Sequence, residues 1–369
     1  MLSISKLSWM ILISGMLWVA AAATSMDEGF AAQQSSDEPL KSFDGLNEKD
    51  REWLLAEKAK GESGSIAVYS FMRGSNVDFL LGEFRKKYPF VKKTQHWPGR
   101  GTDIWRKIGL EANAGRVQAD VAIGGSLELP LAREQGLPMR YLSPHRKAYP
   151  SMFNDPHNYW LGLAVSGLVM AYNEHRVKGM KPPQGFMDLL HEQWSGKISI
   201  DTEPDELVSG MLKAWGPERT EKYFTRLMEL KPNIRRGRTL QLELLCAGEF
   251  AVGIELYPHT VADYIYNKGC PAKIVYPEFM PVKTGALSLV KNSPDPHTAA
   301  LFFDWLASKE GAEVFIKTQR ISARSDVEPL YPALRGILQK TEVIDILNVD
   351  EKFTKEVYDF MRKHIQRRR

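Results

Sequence analysis

The chain contains 369 residues, of which 43% are hydrophobic, 25% are charged and 10% are aromatic. This composition excludes an intrinsically disordered chain, a collagen-like chain and a polytopic membrane protein. The 49 Lys and Arg residues are nearly balanced by 45 Asp and Glu residues spread along the chain, which argues against a nucleic-acid-binding protein. At roughly 100 to 200 residues per domain, the length predicts about two folded units, each with its own core.

The first 23 residues have the pattern of a secretory signal peptide. Lys6 precedes the apolar run Leu7–Val19, and the alanines at 20–23 supply a small-residue cleavage site, so we expect cleavage after Ala23. The alternative is an uncleaved anchor helix, because Leu7–Ala23 comes close to the shortest membrane span. No cysteine lies near the site, which argues against a lipoprotein. The sequence therefore predicts a soluble protein exported to the periplasm.

The first half of the mature chain alternates between helices and strands. A polar stretch at 24–46 predicts a solvated spacer, and a helix follows from Asn47. The next predicted elements are the strand Ser65–Ser70, the helix Asn76–Tyr88, the strand Phe90–His96, the helix Thr102–Ala114, the strand Ala119–Ile123 and the helix Leu127–Gln135. This alternation is typical of a largely parallel, doubly wound sheet.

A long apolar run, Trp160–Tyr172, interrupts the alternation. The run is too long for one ordinary strand, and Gly162 and Gly167 disfavour a regular helix, so it predicts two extended segments that carry the chain from one lobe to another. The second half then alternates again, with predicted helices at 186–191, 206–215, 218–230, 240–247 and 260–268 and predicted strands at 197–201, 250–255 and 272–276. The segment Pro281–Val290 is a second candidate crossover.

The order of these segments resembles the type 2 periplasmic substrate-binding proteins of ABC importers, in particular their ferric-iron-binding-like group. The resemblance spans residues about 55 to 328 and rests on these blocks: Ala56–Glu62 before Ile66–Ser70, Gln118–Val121, Val169–Asn173, Pro183–Leu190 with Trp194–Ile198, Ala247–Gly253, and Gly285–Pro294 with Phe302–Leu306 and Lys309–Gly311. Each block is weak alone, but their order and gaps are specific to the fold. The resemblance implies a solute-binding protein that closes around a small molecule by hinge rotation and presents the closed form to a membrane permease.

The expected fold is therefore α/β, with two doubly wound lobes joined by two crossover segments. The predicted divisions are a signal peptide at 1–23, an N-terminal spacer and helix at 24–59, lobe 1 at 60–164 and 284–328, lobe 2 at 165–283, and a C-terminal helical tail at 329–369. A helix at Pro296–Ser308, with an apolar face, is expected to pack on lobe 1. We expect a monomer that has no cofactor, binds no nucleic acid and is not an enzyme.

Ligand contacts are expected from the loops that follow the strands, because an open α/β sheet presents those loops to a crevice. The loops Gly99–Thr102 and Gly124–Ser126 combine glycine with a hydroxyl at a helix start, which suits an anion; the alternative is a plain turn with a Thr or Ser N-cap. The resemblance favours the anion. The candidate ligand-binding residues are Tyr69, Ser70, Arg73, Arg100, Gly101, Thr102, Gly125, Ser126, Ser166, Thr202, Glu203 and Tyr257. Among them, the hydroxyls at 102, 126 and 202 are expected to donate to the ligand, with the two tyrosines as walls and the two arginines as charge partners.

The chain departs from the iron site that the resemblance implies. That site uses two adjacent tyrosines, a histidine after the first strand and a glutamate after the third strand. Here Tyr257 is followed by Pro258, Phe71 stands after the first strand, and Gly124 follows the third. Ferric iron needs several hard anionic oxygen donors. We therefore expect a small anionic or zwitterionic solute, organic or phosphorus-containing, with ferric iron as the second candidate and no resident metal.

An exported hydrolase or metalloenzyme is a third, weaker hypothesis. His191 and Glu192 begin like the zinc-binding helix of a metalloprotease, but Ser195 stands where the second histidine is needed. The Gly-x-Ser-x-Gly turn of an α/β hydrolase does not occur in the sequence.

Cys246 and Cys270 are the two cysteines of the chain. In an exported protein they can pair, but two separate buried thiols remain the alternative, because the sequence does not show whether their Cα atoms come within about 7 Å. Without a histidine at ligand spacing, they do not predict a zinc site.

Overall fold

The computed structural model describes residues 36–125, 128–347 and 349–365. The predicted signal peptide lies outside the described residues, and so does Ser126. Within them, the chain forms two helix-flanked sheets, one for each lobe, and a small third sheet between them. The predicted α/β class with two lobes is thereby confirmed. None of the helices in the described ranges combines the length and the hydropathy needed to cross a membrane.

The structure contains short and long elements in close succession. The strands are β1 (Ser65–Ser70), β2 (Lys93–Pro98), β3 (Val121–Gly125), β4 (Pro138–Met139), β5 (Leu161–Gly162), β6 (Ser166–Gly167), β7 (Val169–Asn173), β8 (Ile198–Asp201), β9 (Asn233–Arg235), β10 (Val252–Leu256), β11 (Ala272–Val275), β12 (Phe279–Lys283), β13 (Gly285–Val290) and β14 (Glu342–Asp345). The helices are α1 (Glu48–Ala59), α2 (Gly74–Lys87), α3 (Gly101–Asn113), α4 (Leu129–Glu134), α5 (Asp205–Glu229), α6 (Arg238–Ala247), α7 (Pro258–Lys268), α8 (Pro296–Ala307), α9 (Lys309–Phe315) and α10 (Glu351–His364). Short 3₁₀ turns connect them at 41–43, 144–148, 151–153, 187–190, 192–194, 316–318, 332–334 and 337–339.

The sheet of lobe 1 has the strand order β2-β1-β3-β13-β4, with β5 also paired to β13. β1 runs parallel to β2 and β3, whereas β13 returns antiparallel to β3 and places Gly285 opposite Gly125. Helix α8 packs against β1 and β13 on one side and against α1 on the other, which explains why apolar residues occur nearly all around it. Parallel β1 and β3 end at the same edge of the sheet, next to the start of α3.

The N-terminal stretch is not a solvated spacer over the residues that the structure describes. Leu40 and Phe43 are 0% and 2% exposed and belong to the same apolar core as α8. Arg51 of α1 fixes the stretch, because its guanidinium donates to the carbonyl of Phe43 and forms a 2.9 Å ion pair with Asp304. Two large apolar side chains in an otherwise polar segment are enough to anchor it to the core, while most of the polar residues between them stay exposed.

The sheet of lobe 2 has the order β11-β7-β10-β8-β9. β8, β9 and β10 are parallel, and β7 is antiparallel to β10 and β11. The two helices predicted at 206–215 and 218–230 are the halves of α5, which breaks at Gly216, where φ is 76°, just before Pro217. Cys246 and Cys270 form a disulfide with their Cα atoms 5.0 Å apart, so the alternative of two separate thiols is wrong.

The run Trp160–Tyr172 is divided among the three sheets. β5 joins the sheet of lobe 1, β6 pairs with β12 in the third sheet, and β7 joins the sheet of lobe 2. The chain returns through β12, which leads directly into β13. The third sheet, with the order β14-β12-β6, therefore contains segments of both crossovers.

The C-terminal tail and two other segments differ from the predicted elements. The tail is not only helical, because β14 adds to the edge of β12 before α10 packs on α5. The helix predicted at 186–191 is a 3₁₀ turn, Met187–Leu190, and the strand predicted from Phe90 begins at Lys93. In each case tertiary packing, and not the local pattern alone, determines the backbone conformation.

Candidate functional site

A cavity of about 460 Å³ lies between the two lobes. Lobe 1 contributes the loops after β1, β2 and β3 and the segment after α9. Lobe 2 contributes the start of α6 and the β10–α7 region, and the crossovers contribute Ser166, Lys283 and Thr284. The lining residues are Phe71, Arg73, Ser75, Asn76, Arg100, Gly101, Gly125, Glu128, Ser166, Thr239, Tyr257, His259, Thr260, Asp263, Lys283, Thr284, Thr318, Gln319 and Arg320.

Half of the ligand-binding residues predicted from the sequence meet at this cavity. They are Arg73, Arg100, Gly101, Gly125, Ser166 and Tyr257. They come from four separate loops and a crossover. The loops that follow the strands therefore converge on this cavity, as is typical of an open α/β sheet. Whether each of them touches a ligand remains a prediction.

Five predicted residues do not line the cavity: Tyr69, Ser70, Thr102, Thr202 and Glu203. Tyr69 is 4% exposed and its hydroxyl donates to Oε1 of Glu111 at 2.6 Å, so it belongs to the packing between β1 and α3. Ser70 is buried, and its hydroxyl oxygen accepts from the backbone N–H of Met72. The two threonines and Glu203 lie on the surface beside the cleft, and Thr102 is not an N-cap either, because α3 begins at Gly101.

Two arginines of lobe 1 define one end of the cavity. Neither Arg73 nor Arg320 forms an ion pair with a carboxylate in the described ranges, and Nε of Arg320 is buried without a hydrogen-bond partner. The guanidinium of Arg320 lies 5.5 Å from the ring centroid of Phe71. Burial and the neighbouring Arg73 lower the pKa of Arg320, although Tyr257 opposes them. Two guanidinium groups without an ion-pair partner at the wall of a cavity are suited to bind an anion.

His259 faces these arginines from lobe 2. Its Nδ1 is buried without a partner, and its ring stacks on Tyr257 with the centroids 5.7 Å apart. Burial, followed by the charges of Arg320 and Arg73, lowers the pKa of His259 to about 3. The imidazole is therefore neutral at physiological pH and offers a donor or an acceptor, according to its tautomer, rather than a third positive charge.

A hydrogen-bonded network positions Tyr257. Its hydroxyl donates to Oε1 of Glu206 at 3.0 Å, the same oxygen accepts from Nζ of Lys283 at 2.5 Å, and Nη1 of Arg238 lies 3.2 Å from the hydroxyl. Burial, together with the charge of Glu206, raises the pKa of Tyr257, so the phenol stays neutral. The register of β10 shifts between 253 and 256, where Glu255 has a φ of 60°, and this irregularity precedes the loop that carries Tyr257.

The carboxylate of Glu128 lies against the two glycine loops that were expected to bind an anion. A Cβ on Gly101 or on Gly125 would lie 2.5 Å from one of its oxygens. Oε2 of Glu128 is buried without a partner, and burial raises the pKa of this carboxyl group. These glycines therefore leave room for a side chain of the protein itself.

Several lining residues were missed by the sequence reasoning. His259 belongs to the loop 255–259, which follows a predicted strand and was expected to contact the ligand, although His259 itself is not among the candidate residues. Lys283 lies in the second predicted crossover. A charged side chain in a largely apolar run is unusual, and this feature could have identified Lys283 as a candidate site residue. Glu128 and Arg320 carry no local signal, because their place at the cavity depends on how separate segments of lobe 1 pack together.

No group of three or more His, Cys, Asp or Glu side chains in the described part of the chain is arranged to hold a metal ion. Tyr257 is the lone phenol on the cavity wall and is already hydrogen-bonded to Glu206. The surrounding charges include Arg73, Arg320 and Lys283, which disfavour a trivalent cation. The donor set of the cavity therefore does not fit ferric iron.

Residues 131–337 match the family described as bacterial extracellular solute-binding proteins. In sequence, the chain is similar to an uncharacterized protein from Haemophilus influenzae (strain ATCC 51907 / DSM 11121 / KW20 / Rd). The two are 28% identical over 282 residues, which cover 71% of this chain and 78% of that protein.

Solved structures show the same fold. The Trichodesmium protein IdiA (FutA), in complex with iron and citrate, superposes with a TM-score of 0.67 at 19% identity, over 82% of this chain and 99% of that chain. The periplasmic binding protein AfuA from Actinobacillus pleuropneumoniae, with fructose-6-phosphate bound, gives a TM-score of 0.61 at 25% identity, over 83% and 97% of the two chains.

Proposed function

The chain belongs to the family of bacterial extracellular solute-binding proteins, and from that premise we propose that it captures a small oxyanion-bearing solute between its lobes. The captured solute is passed to the permease of an ABC importer. Because the chain belongs to this family, its activity is to bind a solute. We further propose that the protein catalyses no reaction.

The observation that carries this proposal is the pair of unpaired arginines, Arg73 and Arg320. A guanidinium presents planar donors that match phosphate, phosphonate, sulfonate or carboxylate oxygens in a bidentate manner. Bringing two such groups together without a counter-ion costs free energy that a bound anion recovers. His259, across the cleft, is a neutral partner that can donate to the same anion when Nδ1 or Nε2 carries the proton.

The size of the cavity and one similar structure support a phosphorylated solute. A volume of about 460 Å³ falls in the range of small-molecule sites. AfuA was solved with fructose-6-phosphate, a compact sugar with one phosphate group. A hexose phosphate or a smaller phosphate or phosphonate ester fits both the size and the charge of the site.

Ferric iron, the second candidate from the sequence, is less well supported. The iron complex of IdiA (FutA) has the same fold at 19% identity. A similarity at this level does not show that the two proteins bind the same ligand. Tyr257 is held as a neutral hydrogen-bond donor, whereas an iron ligand must be a tyrosinate.

The wider arrangement of the protein is part of the proposal. We place lobe 1 at 60–164 and 284–328 and lobe 2 at 165–283, supported by the sheet membership of β5, β7, β12 and β13. Closure then rotates the lobes about the third sheet. We propose that residues 1–23 direct export and are removed, and that the mature protein acts as a periplasmic monomer.

The proposal is tested by calorimetry and thermal unfolding of the purified mature chain with a panel of solutes. The panel contains inorganic phosphate, ethyl phosphate, ethylphosphonate, glucose 6-phosphate, fructose 6-phosphate, citrate, sulfate and ferric citrate. Glucose and fructose serve as matched controls without the anion. At least one oxyanion should raise the melting temperature and bind at least a hundredfold more tightly than its neutral counterpart. The proposal is overturned if ferric ion alone stabilises the protein and no iron-free oxyanion does.

A further inference from the structure

The cavity is also lined by a carboxylate, that of Glu128, which forms no ion pair within the described residues. Glu128 lines the cavity at the side of lobe 1 where β3 ends and α4 begins. Its Oε2 atom is shielded from solvent and accepts no hydrogen bond in the described part of the structure. A carboxylate oxygen in this state lacks the donor that buried polar atoms almost always have.

The position of this carboxylate is maintained by the backbone around it. Gly101 at the start of α3 and Gly125 at the end of β3 approach it from two sides, and a Cβ on either would come within 2.5 Å of a carboxylate oxygen. Any side chain at these positions would push Glu128 out of its place. The two glycines thus keep open a space that the Glu128 carboxylate occupies at the cavity wall.

The described lining of the cavity carries four cations, Arg73, Arg100, Lys283 and Arg320, and two carboxylates, Glu128 and Asp263. Lys283 is the cation that acts on Glu128, but its Nζ is already bound to Glu206 at 2.5 Å. Arg73 and Arg320 act instead on His259. Asp263 already accepts hydrogen bonds from Gln319 and Tyr331. Glu128 has a hydrogen bond from its own backbone N–H but no ion pair in the described part of the chain, and Oε2 has no partner.

We propose that the solute is a zwitterion, with its ammonium group bound by Glu128 and its oxyanion bound by Arg73 and Arg320. The oxyanion end rests on the proposed function, whereas the ammonium end is carried by Glu128 alone. An ammonium group offers three donors, which satisfy an unpartnered carboxylate oxygen and balance its charge. A hydroxyl in the same place offers one donor and no charge. Glu128 is therefore the residue that selects the ammonium-bearing solute.

The test compares matched solutes that differ in the ammonium group. Glucosamine 6-phosphate is paired with glucose 6-phosphate, and 2-aminoethyl phosphate with ethyl phosphate. Dissociation constants are measured for the native protein, for Glu128→Gln, which keeps the shape of the side chain, and for Glu134→Gln, an exposed control on α4. In at least one pair, the ammonium member should bind the native protein tenfold or more tightly than its partner. Glu128→Gln should abolish that preference by weakening only the ammonium member, and Glu134→Gln should preserve it.

Other outcomes overturn the inference in distinguishable ways. If Glu128→Gln tightens both members of a pair equally, the carboxylate merely fills an anion site and repels the solute. If the native protein binds both members equally, Glu128 does not select the ammonium group, although the proposed oxyanion site stands. If none of the four phosphates binds the native protein, the zwitterion proposal is overturned, and the proposed oxyanion site is overturned with it only if no other iron-free oxyanion of the panel binds.

Discussion

The hydroxyl of Tyr257 donates a 3.0 Å hydrogen bond to Oε1 of Glu206, an oxygen that also accepts from Lys283. Tyr257 belongs to the loop after β10 and Glu206 to the first turn of α5, so the bond connects two elements of lobe 2 at the cleft surface. Because a carboxylate only accepts, the phenol must keep its proton to make this bond. The relationship therefore determines what Tyr257 can offer to a solute: an aromatic wall and not an anionic ligand.

The first prediction concerns iron. Titration of the purified protein with ferric citrate should produce no tyrosinate-to-iron absorption in the visible range, because burial and Glu206 raise the pKa of Tyr257. Tyr257→Phe, which removes the phenol, should give the same featureless spectrum. A visible band that is present in the native protein and absent from Tyr257→Phe would show that Tyr257 binds ferric iron. Iron would then be the preferred solute.

The second prediction concerns the two unpaired arginines. Arg73→Ala or Arg320→Ala should weaken binding of the oxyanion identified by the panel about tenfold to a hundredfold, because a hydrogen bond to a charged group contributes about 1.5 to 3 kcal/mol. Arg320→Ala should not lower the stability of the unliganded protein, since this side chain has no ion pair to lose. Both quantities are measured by calorimetry and by urea unfolding without solute.

Two matched variants control for this prediction. Arg85→Ala removes an exposed arginine of α2, away from the cavity, and Thr102→Ala removes a hydroxyl beside the cleft that does not line it. Both should bind the oxyanion within twofold of the native protein. If Thr102→Ala weakens binding as strongly as Arg320→Ala, the solute lies over the start of α3, as the sequence alone predicted.

How much of this fold follows from the sequence can be seen in α5 and in the C-terminal tail. The apolar spacing on both sides of Gly216 and Pro217 predicts two helices that meet at a break, because that signal is local. The strand β14 has no comparable signal. Its residues, Glu342–Asp345, become a strand only because β12 offers an open edge, which is a tertiary contact across more than 60 residues.

The same distinction applies to the site. Tyr257 and Arg73 follow recognisable strands, so position along the chain is enough to place them near the cleft. Glu128 and Arg320 reach the cavity through packing between segments that are distant in sequence. The glycines at 101 and 125 line the cavity, but their neighbour is Glu128, a contact that no sequence spacing reveals.

The third prediction concerns the disulfide between Cys246 and Cys270, which closes a loop with a sequence separation of 24. Replacing both cysteines by serine should lower the free energy of unfolding by about 3 kcal/mol, because a loop of this length restricts the unfolded chain by roughly that amount. Neither cysteine lines the cavity, so solute affinity should stay within twofold. Dithiothreitol should lower the urea midpoint of the native protein and leave the double variant unchanged. An unchanged midpoint in the native protein would contradict the prediction.

The last prediction concerns pH. The pKa of His259 is lowered to about 3 in the folded protein by burial and by Arg320 and Arg73, whereas the unfolded chain should have an ordinary histidine pKa of about 6.5. Between these values the unfolded chain binds the extra proton, so His259 stabilises the fold fully above about pH 6.5 and loses this contribution as the pH falls toward 3. The contribution should be at most about 1.4 kcal/mol per pH unit. Urea unfolding at a series of pH values should show a shallower acid-side slope for His259→Gln than for the native protein.

A bound oxyanion should reduce the same slope. The anion offsets the charges of Arg73 and Arg320, which contribute to lowering the pKa of His259, so the imidazole should protonate more easily in the complex. Saturating the native protein with the oxyanion should therefore bring its acid-side slope toward that of His259→Gln. His175→Gln, which changes an exposed histidine of lobe 2 outside the cavity, controls for the loss of a histidine as such. If the slope of the native protein is the same with and without the oxyanion, the anion does not bind beside His259, and its site lies elsewhere in the cleft.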